Sequence, residues 1–248
     1  MHEVMTSQFW LGLGAIVWVN IIFSGDNAVV IALAARSLPQ KQQKQAVFWG
    51  AAAAVVLRVV LTVVAVELLR LPYLKIIGGA LLFWIALKLL MPEDDDGDDV
   101  VSSSHLMGAI KTILIADLVM SLDNVIAVAA VAKGSLMLLV LGLLISIPLV
   151  VYGATMLMKL MDRYPAIITV GAALIGFVAG EMMVTDPVVV GWFEQSAHWM
   201  VDLEVLSVAG HKLEVSVAGL IGAILVVVAG KWLAGRKHAR AEDRAAGA

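Results

Sequence analysis

Residues 23–29 read Phe-Ser-Gly-Asp-Asn-Ala-Val, and they place an acid and two other polar side chains inside a long apolar run. Residues 120–126 read Met-Ser-Leu-Asp-Asn-Val-Ile and repeat the Ser-x-Asp-Asn pattern at an offset of 97 residues. At the same offset, Asn20 corresponds to Asp117. Because acids and amides are rare in membrane-length apolar runs, this shared polar pattern argues against a chance match. The sequence therefore predicts an internal repeat.

A second match supports the repeat further along the chain. At an offset of 93 residues, three pairs correspond: Pro72 with Pro165, Gly78 with Gly171, and Lys88 with Glu181. Each copy then contains three apolar runs, and an odd number of crossings makes the two copies enter a membrane from opposite sides. Inverted repeats of this kind are typical of secondary transporters, which bind their cargo near the bilayer midplane.

The composition assigns the chain to the membrane proteins. Of its 248 residues, 61% are hydrophobic and 15% charged, and the mean hydropathy is +0.96. Soluble domains have about 45–50% apolar and about 25% charged residues, so these values exclude a soluble globular enzyme and a disordered chain. The absence of cysteine excludes disulfides and thiolate metal sites. No basic face with interleaved aromatic residues points to nucleic acid.

Seven apolar runs predict an all-α polytopic protein with about seven transmembrane helices, two inverted three-helix repeats and a seventh helix. The runs cover residues 9–35, 46–69, 74–91, 106–132, 136–160, 166–184 and 213–234. The predicted segments are a first repeat (1–91), an acidic cytoplasmic loop (92–105), a second repeat (106–184), an extracytoplasmic amphipathic segment (185–212), and a seventh helix with a basic tail (213–248). An N-out, C-in orientation places 12 of the 17 Lys and Arg residues on the cytoplasmic side.

Polar side chains form a stripe in each repeat. Asn20, Ser24 and Asn27 are spaced i, i+4, i+7, so they share one helix face, and the residues Asp117, Ser121 and Asn124 repeat that spacing. Asp26 and Asp123 lie beside the two stripes. Each ionised group at the bilayer centre costs about 2.5–3.5 kcal/mol on insertion scales. Such groups are therefore expected to face a polar cavity or one another, and Gly25 is a plausible break in the first run.

Carboxylate and amide oxygens without His or Cys suit Mg²⁺, Ca²⁺ or Mn²⁺. We expect Mn²⁺ or a similar divalent cation as transported cargo, and no tightly bound cofactor. The structural alternative is that Asp and Asn hydrogen-bond between helices, with Arg58 as their counter-ion. Arg58 could also neutralise the carboxylates and move away when a cation arrives, although a fixed buried ion pair is the simpler interpretation. Glu181 is either a further ligand or an interfacial residue.

The two motifs resemble the signature motifs of the TerC family of integral membrane proteins, which is named for tellurite resistance and belongs to a larger superfamily of lysine and cation exporters. The resemblance covers most of the chain, including the number of spans and the repeat. It implies a metal-ion exporter, most often for Mn²⁺. By position, it implies a metal site made of the following residues: Asp26, Asn27, Asp117, Asp123 and Asn124, with Asn20 at a polar position of the first motif. Ser24, Ser121, Glu181 and Arg58 are accessory candidates.

The leading functional hypothesis is a secondary transporter in the inner (cytoplasmic) membrane that exports divalent cations, with proton antiport as its energy source. No nucleotide-binding Gly-x-x-x-x-Gly-Lys motif is present. The alternatives are a non-transporting scaffold or sensor in a metal-supply or tellurite-resistance complex and, less favoured, an intramembrane aspartyl hydrolase. We therefore expect no enzymatic activity. The expected partners are the cation and the lipid bilayer, and a homo-oligomer is compatible with the sequence.

Overall fold

The computed structural model describes residues 7–22, 25–68, 71–91, 102–132, 135–197, 200, 203–208 and 211–246. Helices and one short hairpin make up this part of the chain. The helices are α1 (Ser7–Ile22), α2 (Gly25–Ala35), α3 (Gln40–Leu68), α4 (Leu74–Leu90), α5 (Ser102–Ala132), α6 (Leu136–Arg163), α7 (Ala166–Val184), α8 (Val190–Ser196) and α9 (Val217–Ala246). The strands are β1 (Leu203–Val208) and β2 (His211–Val215).

Within the described ranges, five helices are long and apolar enough to cross a membrane. They contain the segments Gln40–Thr62, His105–Leu122, Met137–Arg163, Ala166–Val184 and Val217–Arg236. Two shorter apolar segments, Phe9–Trp18 and Gly25–Ala35, precede them. Many large apolar side chains of these helices point outward, for example Leu11 and Tyr152, which are more than 70% exposed. The chain is therefore a multi-pass integral membrane protein.

The first apolar run forms two helices. α1 ends at Ile22, and α2 begins at Gly25 with Asp26 in its first turn. An acidic side chain at a helix start is favourable because it faces the positive end of the helix dipole. The break predicted at Gly25 is thus confirmed, whereas the corresponding run of the second half, α5, is one continuous helix.

The segment between α7 and α9 adds a hairpin to the otherwise helical architecture. Residues 185–212 are predicted as an extracytoplasmic amphipathic segment, and within this range α8 covers Val190–Ser196 and an antiparallel hairpin begins at Leu203. β1 and β2 pair with Leu203 opposite Val215 and Val208 opposite His211. The seventh helix also begins later than the predicted Leu213, because the buried Ser216 hydroxyl accepts a hydrogen bond from the Gly219 N–H at 3.1 Å and caps α9.

The helices form two compact units, which we describe separately. The first comprises Met1–Arg70 and Gly97–Tyr164 and contains α1, α2, α3, α5 and α6. The second comprises Leu71–Asp96 and Pro165–Ala248 and contains α4, α7, α8, α9 and the hairpin. The two predicted repeats, residues 1–91 and 106–184, are each continuous in sequence. Each compact unit, in contrast, contains helices from both repeats.

Two helix pairs in the first unit run parallel, α3 with α5 and α1–α2 with α6. Gly50 of α3 packs against Ile113 of α5, since a Cβ on Gly50 would lie 2.8 Å from Cδ1 of Ile113. Farther along both helices, Arg58 of α3 contacts Asp117 of α5. The residue numbers increase together, so the two helices are parallel. Likewise, Gly12 of α1 packs on Leu138 of α6, and Ala28 of α2 lies against Gly153. An apolar cluster of α1, α5 and α6 fixes this arrangement, with members Phe9, Leu13, Ile16, Val128, Leu138, Leu139 and Leu143.

The second unit is held by close backbone contacts between small residues. α7 and α9 run antiparallel, with Gly176 beside Gly222 and Gly180 against the carbonyl of Ala218. α4 joins them where a Cβ on Gly79 would lie 2.6 Å from the Ala179 carbonyl oxygen. Without a hydrophobic force between helices in lipid, small residues that allow such an approach provide much of the packing energy.

Candidate functional site

Buried polar side chains concentrate in the first unit. Of the buried polar or charged side chains in the described part of the chain, five lie on its helices: Asn27, Arg58, Asp117, Ser121 and Ser146. These residues lie on α2, α3, α5 and α6, so four of the five helices of the unit contribute to one polar cluster. Since buried charge is costly unless it is paired or hydrogen-bonded, the contacts of this cluster decide its role.

An ion pair between α3 and α5 forms the centre of the cluster. Nη2 of Arg58 lies 2.7 Å from Oδ1 of Asp117, and both side chains are at most 7% exposed. Nε of Arg58 donates to Oγ of Ser121 at 3.0 Å, and that hydroxyl donates to Oδ2 of Asp117 at 3.2 Å. Both oxygens of Asp117 are thus engaged. Asp117 and Ser121 are one helical turn apart on the same face of α5, so both can contact one guanidinium.

The first turn of α2 adds a second carboxylate. Oδ1 of Asp26 accepts a hydrogen bond from the Asn27 N–H at 2.8 Å, so the side chain folds back over the helix start. Asp26 is half-buried, while Asn27 is buried. The charges of Arg58 and Asp117 are near enough to interact with Asp26. The break before α2 therefore brings Asp26 into the electrostatic environment of the ion pair.

A small cavity of about 20 Å³ adjoins the ion pair. Its polar wall is formed by Asn27, Arg58, Asp117 and Ser146, and the rest is apolar: Ile31, Ala51, Ala54, Val55, Ile147 and Val150. A cavity above roughly 10–15 Å³ has room for one water. This size suits a water or a single ion.

The structure brings some of the predicted site residues together. Asn27, Asp117, Ser121 and Arg58 belong to this cluster, and Asp26 lies beside Asn27 at the start of α2 without lining the cavity. Glu181 is exposed near the end of α7 and is not a lining residue of the cavity. The remaining predicted residues, Asn20, Ser24, Asp123 and Asn124, have side chains outside the described part of the structure. Among the described residues, no group of three or more His, Cys, Asp and Glu side chains converges as a metal centre would.

The sequence reasoning missed Ser146. It is 1% exposed, lines the cavity from α6, and donates a hydrogen bond to the Gly142 carbonyl at 2.9 Å. That bond uses the hydroxyl hydrogen and leaves the oxygen able to accept or to coordinate. The signal was present, since Ser146 carries the single polar side chain between Leu136 and Val151. Ser146 is uncharged and belongs to neither copy of the repeated Ser-x-Asp-Asn motif, so no sequence motif identifies it.

Comparison with known proteins identifies the family of the chain. Residues 5–238 match the integral membrane protein TerC family. The chain belongs to the TerC family. It is 42% identical over 182 residues to the uncharacterized membrane protein YjbE of Bacillus subtilis, which covers 73% of this chain and 83% of that relative.

Two more distant relatives extend the similarity within the TerC-type membrane proteins. YceF of B. subtilis, also described as an uncharacterized membrane protein, is 27% identical over 190 residues, covering 73% of this chain and 74% of YceF. The inner membrane protein YgdQ of Escherichia coli K12 is 24% identical over 175 residues, covering 64% of this chain and 73% of YgdQ. No solved structure gives a significant match. The predicted family membership is thus confirmed.

Proposed function

We propose that this TerC protein is a secondary transporter that exports divalent metal cations, with Mn²⁺ as its main cargo. One observation carries the proposal: the small cavity beside the buried Arg58–Asp117 pair, which Asn27 in the first turn of α2 also lines. Charged side chains within membrane-spanning helices are rare, and they mark ion pathways more often than structural contacts. Broken helices line binding sites in many secondary transporters.

The chemistry of the cluster favours a hard cation. Asp26 and Asp117 supply carboxylates, Asn27 an amide oxygen, and Ser146 a hydroxyl. Oxygen donors suit Mg²⁺, Ca²⁺ and Mn²⁺, and the cavity volume of about 20 Å³ fits a single ion. We further propose that Asp123 and Asn124, together with Asn20, complete the coordination from the second motif. The choice of Mn²⁺ follows the family resemblance.

The helix directions support seven crossings in the membrane. If the chain crosses the bilayer in alternating directions, the second and fourth spans run the same way, as do the first and fifth. α3 and α5 are parallel, and so are α1–α2 and α6. In the second unit, α7 is antiparallel to α9. We accordingly propose seven spans with an N-out, C-in orientation.

The same pairings support an inverted repeat. In the proposed repeat, α1–α2 corresponds to α5, α3 to α6, and α4 to α7. A twofold relation between the halves therefore requires that α6 pack on α1–α2 as α3 packs on α5. It also requires that α4 and α7 pack on each other. Helices α3 and α5 do pack along each other, as do α6 and the two short helices. A pseudo-twofold relation between the halves is the arrangement from which alternating access arises in many transporters.

Export of a dication from a cell whose interior is negative requires energy. Each charge moved against the potential costs about 2.3 kcal/mol per 100 mV. We propose proton antiport as the source, with the inner (cytoplasmic) membrane as the location. An aspartyl hydrolase would need two carboxylates that share a proton, whereas the oxygens of Asp117 contact Arg58 and Ser121. We therefore propose that the chain is not an enzyme.

The test is transport of ⁵⁴Mn²⁺ by purified protein in liposomes, run with competing cations and with imposed pH gradients. Asp26→Asn, Asp117→Asn and Asp123→Asn should each abolish flux while the protein still folds. Asp162→Asn is the matched control, since Asp162 is an exposed carboxylate near the end of α6. Wild-type protein that moves no cation would favour a scaffold or sensor, including one in a tellurite-resistance complex. Normal flux in all three variants would refute the site.

A further inference from the structure

We infer that Arg58 is a tethered counter-cation, which neutralises Asp117 when no cargo is bound and which the cargo must displace. The inference deepens the proposed function and depends on it. In this role Arg58 does not bind the cargo. Its guanidinium instead neutralises the charge of Asp117 in the cargo-free carrier. The observations that support it are the contacts of the guanidinium, its burial and its place in the cavity wall.

The contacts place Arg58 in competition with a cation. Its guanidinium occupies Oδ1 of Asp117 at 2.7 Å and holds the hydroxyl that donates to Oδ2. A metal ion that coordinates this carboxylate would have to share it with a fixed positive charge. Because the pair is buried, water screens the repulsion between the two cations only weakly. Coordination therefore requires that the guanidinium withdraw from Asp117.

The cavity provides the setting for this exchange. Arg58 and Asp117 both line it, together with Asn27 and Ser146. A cation entering the cavity reaches Asp117 and the two neutral oxygen donors from one side. Arg58 contacts the carboxylate through a long side chain with several rotatable bonds, so it can move away without motion of α3. Asp117 can thus either pair with Arg58 or coordinate the cargo, but not both at once.

Such an exchange has a consequence for the transport cycle. A carrier that returns without cargo would otherwise carry an unpaired buried carboxylate through its conformational change, which is energetically unfavourable. Arg58 supplies the missing charge in that step only. Removal of the arginine should therefore impair the return of the cargo-free carrier, while the cargo-loaded carrier, which needs no guanidinium, should still change conformation.

Two transport modes separate this role from a structural one. Net Mn²⁺ efflux from proteoliposomes requires the cargo-free return, whereas ⁵⁴Mn²⁺/Mn²⁺ exchange with Mn²⁺ on both sides does not. For Arg58→Gln we expect net efflux to fall at least about fivefold relative to exchange, within the range of typical coupling energies. Arg58→Lys retains the charge and should restore part of the net efflux. The double variant Arg58→Gln/Asp117→Asn tests folding, since it removes both charges of the ion pair.

The outcomes are distinct. A selective loss of net efflux, with partial recovery in Arg58→Lys, supports the inference. An equal loss of net efflux and exchange in Arg58→Gln and in Arg58→Lys would show that Arg58 serves only the fold. Unchanged efflux in Arg58→Gln would show that no counter-cation is needed. Either result would overturn the inference and leave the proposed transport intact. Wild-type protein without exchange or efflux would overturn the proposed function and, with it, this role.

Discussion

The carboxylate of Asp186 accepts a hydrogen bond from the Lys75 backbone N–H at 3.0 Å, so a loop residue after α7 caps the start of α4. The same side chain accepts from the N–H groups of Tyr73, Ile76 and Val188 at 2.9–3.3 Å. Tyr73 adopts a left-handed conformation, with a φ of 65°, immediately before the helix. The first amides of a helix lack partners within it, and Asp186 satisfies them from another element.

Loss of this cap should destabilise the second unit. Asp186→Ala removes the carboxylate that accepts from the N–H groups of Tyr73, Lys75 and Ile76, and we expect a loss of about 1–2 kcal/mol, as for other helix caps. Asp186→Asn retains one oxygen and should cost less. The measurement is the apparent melting temperature in detergent at neutral pH. Asp162→Ala is the control, because this carboxylate is exposed, and equal losses in the two alanine variants would contradict the capping role.

The stability that Asp186 provides should also depend on pH. Burial acts to raise the pKa of its carboxyl, but the N–H groups of Val188, Ile76, Tyr73 and Lys75 outweigh it, so the pKa lies below its ordinary value. The stabilisation is therefore complete above the unfolded-state pKa of about 3.9 and disappears as the pH falls through the folded-state pKa. The melting-temperature difference between wild type and Asp186→Asn should shrink below about pH 4. A constant difference down to pH 3 would contradict this assignment.

Close packing of α7 against α9 predicts sensitivity to added side-chain volume. A Cβ on Gly180 would collide with the Ala218 carbonyl, so Gly180→Val should cost about 1–3 kcal/mol by overpacking. A Cβ on Gly235 of α9 would meet nothing within 4 Å, and Gly235→Ala is the control. The readouts are the yield of folded protein and the melting temperature. If Gly180→Val were as stable as the control, the helices would not be in backbone contact.

The apolar helices could be predicted from the sequence because hydrophobic length alone determines them. Each of the last six runs corresponds to one helix, although α3 begins six residues before its run and α9 ends twelve residues after its run. The first run contains two helices, the second of which begins at Gly25. The hairpin could not be predicted, since two short strands of five and six residues leave a weak pattern. The contact of Asp186 with Lys75 joins residues 111 positions apart, and local sequence patterns carry no information about such a pair.

The candidate site was predictable where a motif marked it. The repeated Asp-Asn stretches identified Asp26, Asn27, Asp117 and Ser121, because charged groups in apolar runs need a polar environment. Arg58 was expected as a counter-ion of the carboxylates, and the packing of α3 on α5 shows that it contacts Asp117. Ser146 was missed because its role depends on the position of α6 relative to the other helices.

Ser146 offers a specific test of the cavity as the cargo site. Ser146→Ala removes one neutral oxygen from the wall, which should raise the KM for Mn²⁺ about fivefold, as expected for the loss of about 1 kcal/mol. Thr155→Val on the same helix is the control, since the Thr155 hydroxyl also bonds to a carbonyl one turn earlier but does not line the cavity. The measurement is ⁵⁴Mn²⁺ flux against concentration. Equal KM values in both variants would exclude Ser146 from the path.

The topology can be tested with single cysteines, because the chain has none of its own. His105 and Ser196 are exposed, and three proposed spans separate them. His105→Cys should react with a membrane-impermeant maleimide only in inside-out vesicles, and Ser196→Cys only in right-side-out vesicles. The cysteine-free wild type controls for background labelling. If both cysteines reacted from the same side, an even number of spans would lie between them, and neither the inverted repeat nor the seven-span topology could be correct.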